Sequence, residues 1–404
     1  MLTMTGCKGI YFTDYPATAH FECPEWSHLK PSDAILYTKA FVQEMQEKEW
    51  PSKNISISNS HMQASQFIKA GVLAVILAII AAASWEIHLR HAGVDTSYDD
   101  NKALWAYTRG KVYEPKDRTT VFIGSSRIKF DLDIPVWQEI TGNHAVQLAC
   151  VGSSPAPVLR DLANDPNFKG KLIIDVTEEI FLSTSSFDDE GPSKRVEYFH
   201  KITPTQRASF QVDRVLESMF AFLDQDNYSF NAMLPNLHLP QRAGVFPDVI
   251  FPPEFDRTTL ERQSYMTPKF LTDSSLQNKV KSIWAFFEKM DPEPPATGKR
   301  LDSVIQLIKT DVDKIQKRGG EVLFVRTPSS GQVWIDEQKF YPRAVYWDKI
   351  ISSYRCKGIY YKDYLAIAHF ECPESSHLSP EQAVVFTKNL IKILKEEKGW
   401  TFNN

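Results

Sequence analysis

The feature that most constrains this chain is an unbroken apolar run near its N-terminus. Residues 68–85 read IKAGVLAVILAIIAAASW and carry one charged residue, Lys69. An α-helix of this length extends about 27 Å, close to the thickness of the hydrocarbon core of a bilayer. Because the run is apolar on all faces, we predict a transmembrane helix or signal anchor over residues 67–87. The alternative is a buried core helix.

A repeat links the two ends of the chain. Residues 7–49 and 356–398 align at a constant offset of 349 positions, and roughly half of the aligned residues are identical. A stretch this short rarely folds by itself. We therefore interpret residues 1–61 as a partial duplicate, the tail of a fused paralogue or the product of a start upstream of Met62. The alternatives are an N-terminal domain with its own function and a segment that competes with the C-terminal copy for its place in the fold.

The rest of the sequence alternates β-branched apolar runs with amphipathic helical patterns. After a stalk or first helix at residues 88–117, five runs predict strands: Thr119–Ile123, Ala145–Ala149, Lys171–Val176, Glu321–Val325 and Gly358–Tyr361. The apolar residues of Arg300–Lys317 recur at helical spacing. This alternation predicts an α/β domain over residues 118–404, with a parallel sheet covered on both faces. Residues 183–298, rich in Phe, Pro and polar residues, interrupt the pattern and predict an inserted cap or lid.

Composition and spacing exclude several classes of function. The net charge of −4 and the absence of a long basic run argue against a protein that binds nucleic acid. Five cysteines are too few for a disulfide-dense scaffold. The cysteines and histidines lack zinc spacing, and the sequence has neither a P-loop nor a dinucleotide-binding glycine fingerprint. We therefore expect no metal and no cofactor.

Polar residues follow the first two predicted strands, at the edge of a parallel sheet where sites form. Gly124-Ser125-Ser126-Arg127 comes after the first strand. A serine that enters a helix here suits a nucleophile, because nearby backbone N–H groups can stabilise the oxyanion that its attack creates. Gly152, after the second strand, offers an unhindered N–H group. The alternative for both is a plain turn, with Ser125 as a helix N-cap.

A third polar segment precedes the last predicted helix, Pro380–Leu394. It reads CPESSHLS and places Glu374 three residues before His377. A carboxylate at this spacing can orient the imidazole, so that His377 serves as a general base. A capping or surface histidine is the alternative.

Together these segments resemble the SGNH (GDSL-like) hydrolase superfamily over about residues 118–400, with the insertion excluded. The resemblance implies a flavodoxin-like three-layer sandwich that performs acyl transfer at a serine. It implies Ser125 as the nucleophile, His377 as its base and Glu374 in the position usually held by aspartate. The N–H groups of Ser125 and Gly152 would contribute to the oxyanion hole.

The third sequence block departs from the family pattern. Where the family has Gly-x-Asn-Asp, this chain has Asp175-Val-Thr-Glu-Glu, without an asparagine. The Thr177 hydroxyl would take the place of the asparagine as an oxyanion donor. Glu178 or Glu179 would repel an oxyanion if its side chain pointed inward. The loss of one oxyanion donor typically costs about 100- to 1000-fold in rate.

The order of an anchor followed by this domain is similar to proteins that work with membrane-bound O-acyltransferases on cell-surface polymers. The likeness implies a serine esterase or O-acyltransferase-like protein, held in the bacterial inner membrane by one helix, with its large domain extracytoplasmic. The expected partners are the membrane, a membrane-bound O-acyltransferase, and cell-surface polysaccharide or a similar acyl ester. The alternative is a catalytically inactive binding or scaffold module that partners such an acyltransferase.

Three further residues are candidates to bind substrate. Arg127, Arg326 and Ser329 follow predicted strands, and an arginine there can bind a carboxylate or phosphate of a polymer. A structural ion pair and a plain turn are the alternatives. Cys356 and Cys372 would form a disulfide in an oxidising compartment, or else remain buried thiols.

Overall fold

The computed structural model describes residues 16, 19, 29–47, 64–113, 118–234, 249–290, 294–354 and 356–402. The chain divides into two units, residues 1–80 and 81–404. The first unit contains helix α1 (Pro31–Glu47) and the beginning of α2 (Ala64–His91). Most of the first repeat copy before α1 lies outside the described residues.

Helix α2 contains the apolar run. Its segment Phe67–His91 has a mean hydropathy of 2.4 and is long and apolar enough to cross a membrane. Its apolar side chains are exposed, among them Ile68, Leu73 and Ile79. A core helix buries such side chains. The length, composition and exposure of α2 are therefore compatible with the predicted membrane span.

A five-stranded parallel sheet lies at the centre of residues 81–404. The strands are β1 (Thr119–Ile123), β2 (His144–Gln147), β3 (Lys171–Asp175), β4 (Asp256–Thr258), β5 (Ser264–Met266), β6 (Glu321–Arg326) and β7 (Lys357–Tyr360). The short strands β4 and β5 pair antiparallel with each other. The other five form the parallel sheet in the order β2-β1-β3-β6-β7. The predicted parallel sheet is confirmed, and each predicted strand ends within two residues of its observed bounds.

Helices connect the strands. They are α3 (Lys102–Gly110), α4 (Ser126–Asp131), α5 (Ile134–Thr141), α6 (Ala156–Asn164), α7 (Glu178–Phe181), α8 (Ser186–Lys201), α9 (Pro204–Met219), α10 (Phe230–Met233), α11 (Pro268–Thr272), α12 (Ser274–Met290), α13 (Gly298–Lys317), α14 (Gly331–Phe340), α15 (Trp347–Tyr354) and α16 (Pro380–Glu396). The two helices predicted within α13 and α16 are confirmed. A capping box of Ser379 and Gln382 begins α16, which satisfies backbone N–H groups that a helix start otherwise leaves free.

The sheet buries a separate apolar core on each face. Because successive side chains of a strand point to opposite faces, Val121 and Leu172 enter the core that contains α6, α13 and α15. Phe122 and Ile173 enter the core that contains α5 and α16. All five strands are parallel, so their carboxyl ends share one edge of the sheet. The loops after β1, β3 and β6 therefore emerge together.

The two cysteines considered for a disulfide lie in these different cores. Cys356 belongs to the core on the α13 face, where Gln316 Nε2 donates to its Sγ at 3.3 Å. Cys372 belongs to the core on the α16 face. Both are free thiols. Since the sheet separates them, the structure has the buried thiols and not the disulfide.

The segment predicted as a stalk, residues 88–117, contains a core helix of the domain. Trp105 in α3 is fully buried, and its indole Nε1 donates to the carbonyl of Leu148 at 3.0 Å. The neighbouring Arg109 is also buried and forms ion pairs of 2.8 Å with Asp161 and Asp165. The alternative of a first helix therefore describes α3 better than a stalk does.

Two buried carboxyls make stability depend on pH. Burial, together with nearby carboxylates, raises the pKa of Asp99 from 3.8 to about 6 and that of Glu217 from 4.5 to about 7. Between about pH 4 and 7 these two carboxyls therefore bind more protons in the folded chain than in the unfolded chain. The free energy of unfolding should fall as pH rises through this window. Urea unfolding at pH 5 and pH 8 measures the difference.

Substitution tests the assignment of this pH dependence. Asp99→Asn with Glu217→Gln should reduce the loss of stability between pH 5 and 8. Glu139→Gln, at an exposed glutamate of α5, should leave the loss unchanged. An unreduced loss in the double variant would assign the pH dependence to other groups.

Candidate active site

The loop after β1 requires glycine at position 124. Gly124 has φ +153°, and a Cβ built there would lie 2.6 Å from the Cβ of Asp175 at the end of β3. The close approach of the two strand ends therefore leaves room for a hydrogen only. The next residue, Ser125, therefore lies at the carboxyl edge of the sheet, directly before α4.

Substitution of Gly124 should be costly. Gly124→Ala combines a backbone penalty with overpacking, and should lower the free energy of unfolding by about 3 kcal/mol or more. Gly319→Ala is the matched control, because Gly319 has φ +88° with no atom within 4 Å of a built Cβ. It should cost only the backbone penalty of about 1–2 kcal/mol. Equal losses in urea unfolding would show that contact with Asp175 adds nothing.

Ser125 is buried and its hydroxyl is unused. The residue is 3% exposed, and its Oγ has no hydrogen-bond partner among the described residues. Ser125 directly precedes α4, yet its side chain makes no capping hydrogen bond. Ser125 therefore occupies the N-cap position of α4, as the alternative predicted, without the side-chain hydrogen bond that a capping serine usually makes.

The loop before α16 brings Glu374 and His377 together. Glu374 Oε1 lies 2.8 Å from His377 Nδ1 and accepts the backbone N–H of His377 at 2.6 Å. Its other oxygen, Oε2, accepts the N–H of Ser376 at 3.3 Å and the indole N–H of Trp284. Within the described residues, the hydrogen bonds to this carboxyl come from nitrogen atoms, so it can serve as an acceptor toward the imidazole. The arrangement favours the imidazole tautomer with hydrogen on Nδ1 and a free lone pair on Nε2.

Contacts from α4 place Ser125 and this loop in one region. Arg127 Nε donates to Ser376 Oγ at 3.3 Å, and the N–H of Leu378 donates to Asp131 Oδ1 at 2.9 Å. The Phe130 ring lies 4.4 Å from the His377 ring, centroid to centroid. His377 is 1% exposed, and its Nε2 has no partner among the described residues. Ser125 Oγ and His377 Nε2 thus make no hydrogen bond to each other here.

The three predicted oxyanion donors differ in their exposure. Gly152 lies on an exposed turn after β2, with φ +58°, whereas Ser125 and Thr177 are buried. The Thr177 hydroxyl donates to Asp175 Oδ2 at 3.3 Å. In this arrangement Thr177 faces the end of β3, and its role as an oxyanion donor stays a prediction.

The predicted substrate residues Arg127, Arg326 and Ser329 belong to a buried charge cluster. Arg326 is fully buried, lies 2.9 Å from Glu178 Oε2 and also pairs with Glu337. Arg127 pairs with Glu337 as well, and Ser329 Oγ donates to Glu337 Oε2 at 2.6 Å. The ion pair with Arg326 compensates the charge of Glu178. Binding of substrate by these residues stays a prediction, since the contacts found are those of the structural alternative.

Several side chains of the site carry no sequence signal. Asp131, at the end of α4, is fully buried with Oδ2 unpartnered among the described residues, and burial raises its pKa well above 3.8. Burial also raises the pKa of Asp175, which accepts from the Thr327 hydroxyl at 2.8 Å. Trp284 comes from the insertion. Asp131 and Trp284 become recognisable only through contacts that the fold creates, whereas Asp175 begins the third block of the family pattern in the sequence.

Comparisons with known proteins assign this chain to no family. No protein-family model matches the chain, and no curated protein matches it. Within the described part of the chain, no group of three or more His, Cys, Asp or Glu side chains could hold a metal ion.

Proposed function

We propose that residues 118–404 form an SGNH-like domain with a flavodoxin-like three-layer arrangement. The support is the strand order β2-β1-β3-β6-β7, which is the order 2-1-3-4-5 of flavodoxin-like sheets when only the parallel strands are counted. The chain direction across the sheet reverses between β1 and β3, where ligands bind in such folds. Ser125 follows β1 at that point.

The proposed activity is that of a serine esterase or O-acyltransferase. One observation carries it: His377 is held by the buried Glu374 carboxylate at 2.8 Å, and Ser125 Oγ and His377 Nε2 are both buried and unpartnered in the described structure. Each unsatisfied buried polar atom costs about 1–3 kcal/mol. Such a cost calls for an explanation, and a ligand or a reaction that uses both atoms is one.

The proposed reaction proceeds by covalent catalysis. Ser125 Oγ forms a bond to the acyl carbonyl carbon, and its proton moves to His377 Nε2. The bond from that carbon to the alcohol oxygen then breaks, and the alcohol leaves with the proton from His377. Water or a sugar hydroxyl attacks the acyl-serine, His377 takes its proton, and Ser125 recovers a proton as the acyl group departs. Glu374 keeps the imidazole oriented throughout.

The proposed setting is the bacterial inner membrane. One span, within Phe67–His91, would anchor the domain outside the cytoplasm. The proposed substrate is a cell-surface polysaccharide or a similar acyl ester, with a membrane-bound O-acyltransferase as a partner.

A second candidate is an inactive module that binds or scaffolds such an acyltransferase. The burial of both Ser125 Oγ and His377 Nε2 favours it, because a substrate cannot reach these atoms in the conformation described. The direction of the Thr177 hydroxyl toward Asp175 favours it too.

Labelling with a fluorophosphonate distinguishes the two candidates. The full-length protein in detergent should be labelled at Ser125, with the modified peptide located by mass spectrometry. Ser125→Ala and His377→Ala should abolish labelling, while Ser126→Ala, at the adjacent half-buried serine, should retain it. A folded protein that is not labelled would reject the enzyme and favour the module.

A further inference from the structure

Aromatic side chains of the insertion form a wall beside His377. The ring centroid of Trp284 lies 5.9 Å from that of His377, and the centroid of Phe255 lies 6.2 Å away. Phe130 of α4 stacks against Phe255 at 5.6 Å. Behind these rings, Phe251 lies 5.7 Å from Phe255 and 5.3 Å from Trp284. The general base of the proposed reaction is thus surrounded by hydrocarbon on this side.

This part of the insertion is fixed firmly at one end. The buried Arg262, between β4 and β5, donates to the carbonyls of Gln147 and Ala149 at 2.6 and 2.9 Å. It also pairs with Asp100 at 2.6 Å, and Gln263 Oε1 accepts the N–H of Ile134 at 2.9 Å. The β4–β5 hairpin is therefore held against the carboxyl edge of the sheet by buried polar contacts.

Helix α12 is held differently. Its N-terminal half is tied to α11 by Gln277 Nε2, which donates to the carbonyls of Phe270 and Leu271 at 3.1 and 3.0 Å. Its C-terminal half reaches the site through the half-buried Trp284, which donates to Glu374. The next turn exposes 45% of Phe287. Displacement of this half would break the hydrogen bond from Trp284 to Glu374 and uncover the aromatic faces behind it.

We propose that α12 is a lid over the candidate site, and that the acyl part of the substrate is a hydrocarbon chain that lies on the wall of Phe130, Phe251, Phe255 and Trp284. This inference rests on the proposed function and specifies its substrate. An ester must reach Ser125 Oγ, which is buried, so some covering element moves. Trp284 donates a hydrogen bond to Glu374 and packs beside the ring of His377. We therefore assign α12, which carries Trp284, as the element that moves.

The chemistry of the wall selects the acyl group. A short polar acyl group would lose hydration against these rings without gaining a hydrogen bond. A hydrocarbon chain gains about fourfold in binding for each methylene that it buries. The wall therefore favours chains of several carbons over acetyl or alanyl groups.

Fluorophosphonates of two chain lengths test the inference. We expect octyl-fluorophosphonate to label Ser125 of the full-length protein about tenfold faster than ethyl-fluorophosphonate, or more. Phe251→Ser should remove most of this preference by lowering the octyl rate much more than the ethyl rate, and urea unfolding of this variant reports whether its fold is intact. Phe340→Ser, at a phenylalanine on α14 that is 40% exposed, is the matched control and should keep both rates. Since all variants share one detergent, differences among them are independent of how each probe partitions into micelles.

The possible outcomes distinguish failure of the acyl-chain wall from failure of the proposed enzyme activity. Equal octyl and ethyl rates, or a preference that survives Phe251→Ser, would overturn the acyl-chain wall and leave the proposed enzyme standing. Absence of labelling by both probes would overturn the proposed function, and the inference with it.

Discussion

Replacing Glu374 with glutamine should slow fluorophosphonate labelling of Ser125 by about 10⁴-fold, as the equivalent change does in serine protease triads. The carboxylate favours hydrogen on His377 Nδ1, 2.8 Å from Oε1, and so keeps Nε2 free to accept the serine proton. A glutamine amide can donate to Nδ1 and stabilise the opposite tautomer. The second-order labelling rate constant of the purified full-length protein measures the effect.

The matched control is Glu371→Gln. Glu371 is an exposed glutamate three residues earlier in the same loop, and its loss should leave the labelling rate within about twofold. A Glu374→Gln protein that is labelled as fast as the parent would show that this carboxylate does not set the tautomer of His377. Unchanged urea unfolding in that variant would confirm that its fold is intact.

Replacing Arg326 with methionine should lower the free energy of unfolding by about 3–5 kcal/mol. Arg326 is fully buried between Glu178 and Glu337, and both carboxylates raise the pKa of its guanidinium against the opposing effect of burial. Without it, Arg127 still pairs with Glu337, whereas Glu178 loses the arginine that compensates its buried charge. Urea unfolding of the full-length protein gives the change in free energy.

Arg343→Met provides the comparison at the surface. The Arg343 side chain is 38% exposed and pairs with Asp348 and Asp363. Exposed pairs of this kind contribute at most about 1 kcal/mol. If Arg326→Met cost no more than Arg343→Met, the buried cluster would be a source of specificity and not of stability.

The sheet could be predicted because each strand is encoded locally. β1 and β3 are short apolar runs whose residues are buried on both faces, so a continuous apolar stretch marks them. In α13, Leu301, Ile305 and Ile308 recur on one face and are buried, and helical spacing marks them in the same way. The predicted ends of the strands differ from the observed ends by up to two residues, because the amino-acid composition does not change where the strand hydrogen bonds stop.

The candidate site could be predicted only where its parts are close in sequence. Glu374 and His377 are three residues apart in one loop, so their spacing predicts their contact. Trp284 is 90 positions before Glu374, and Glu337 reaches Arg127 from 210 positions away. A periodic pattern in the sequence cannot predict such contacts, because they depend on how the insertion and α14 pack against the sheet. The insertion could be recognised by its composition, but not the element within it that covers His377.

The strand order has a consequence for the time at which the site is completed. Ser125 follows β1, whereas Glu374 and His377 follow β7, which pairs with the outer edge of β6. A chain that leaves the ribosome from its N-terminus therefore presents β6 with an open edge until residues 357–360 have been synthesised. Throughout that interval Ser125 exists without His377, its proposed base. The proposed chemistry can begin only after the last strand and α16 have joined the sheet. We therefore expect a nascent chain, or one truncated before β7, not to react with esters.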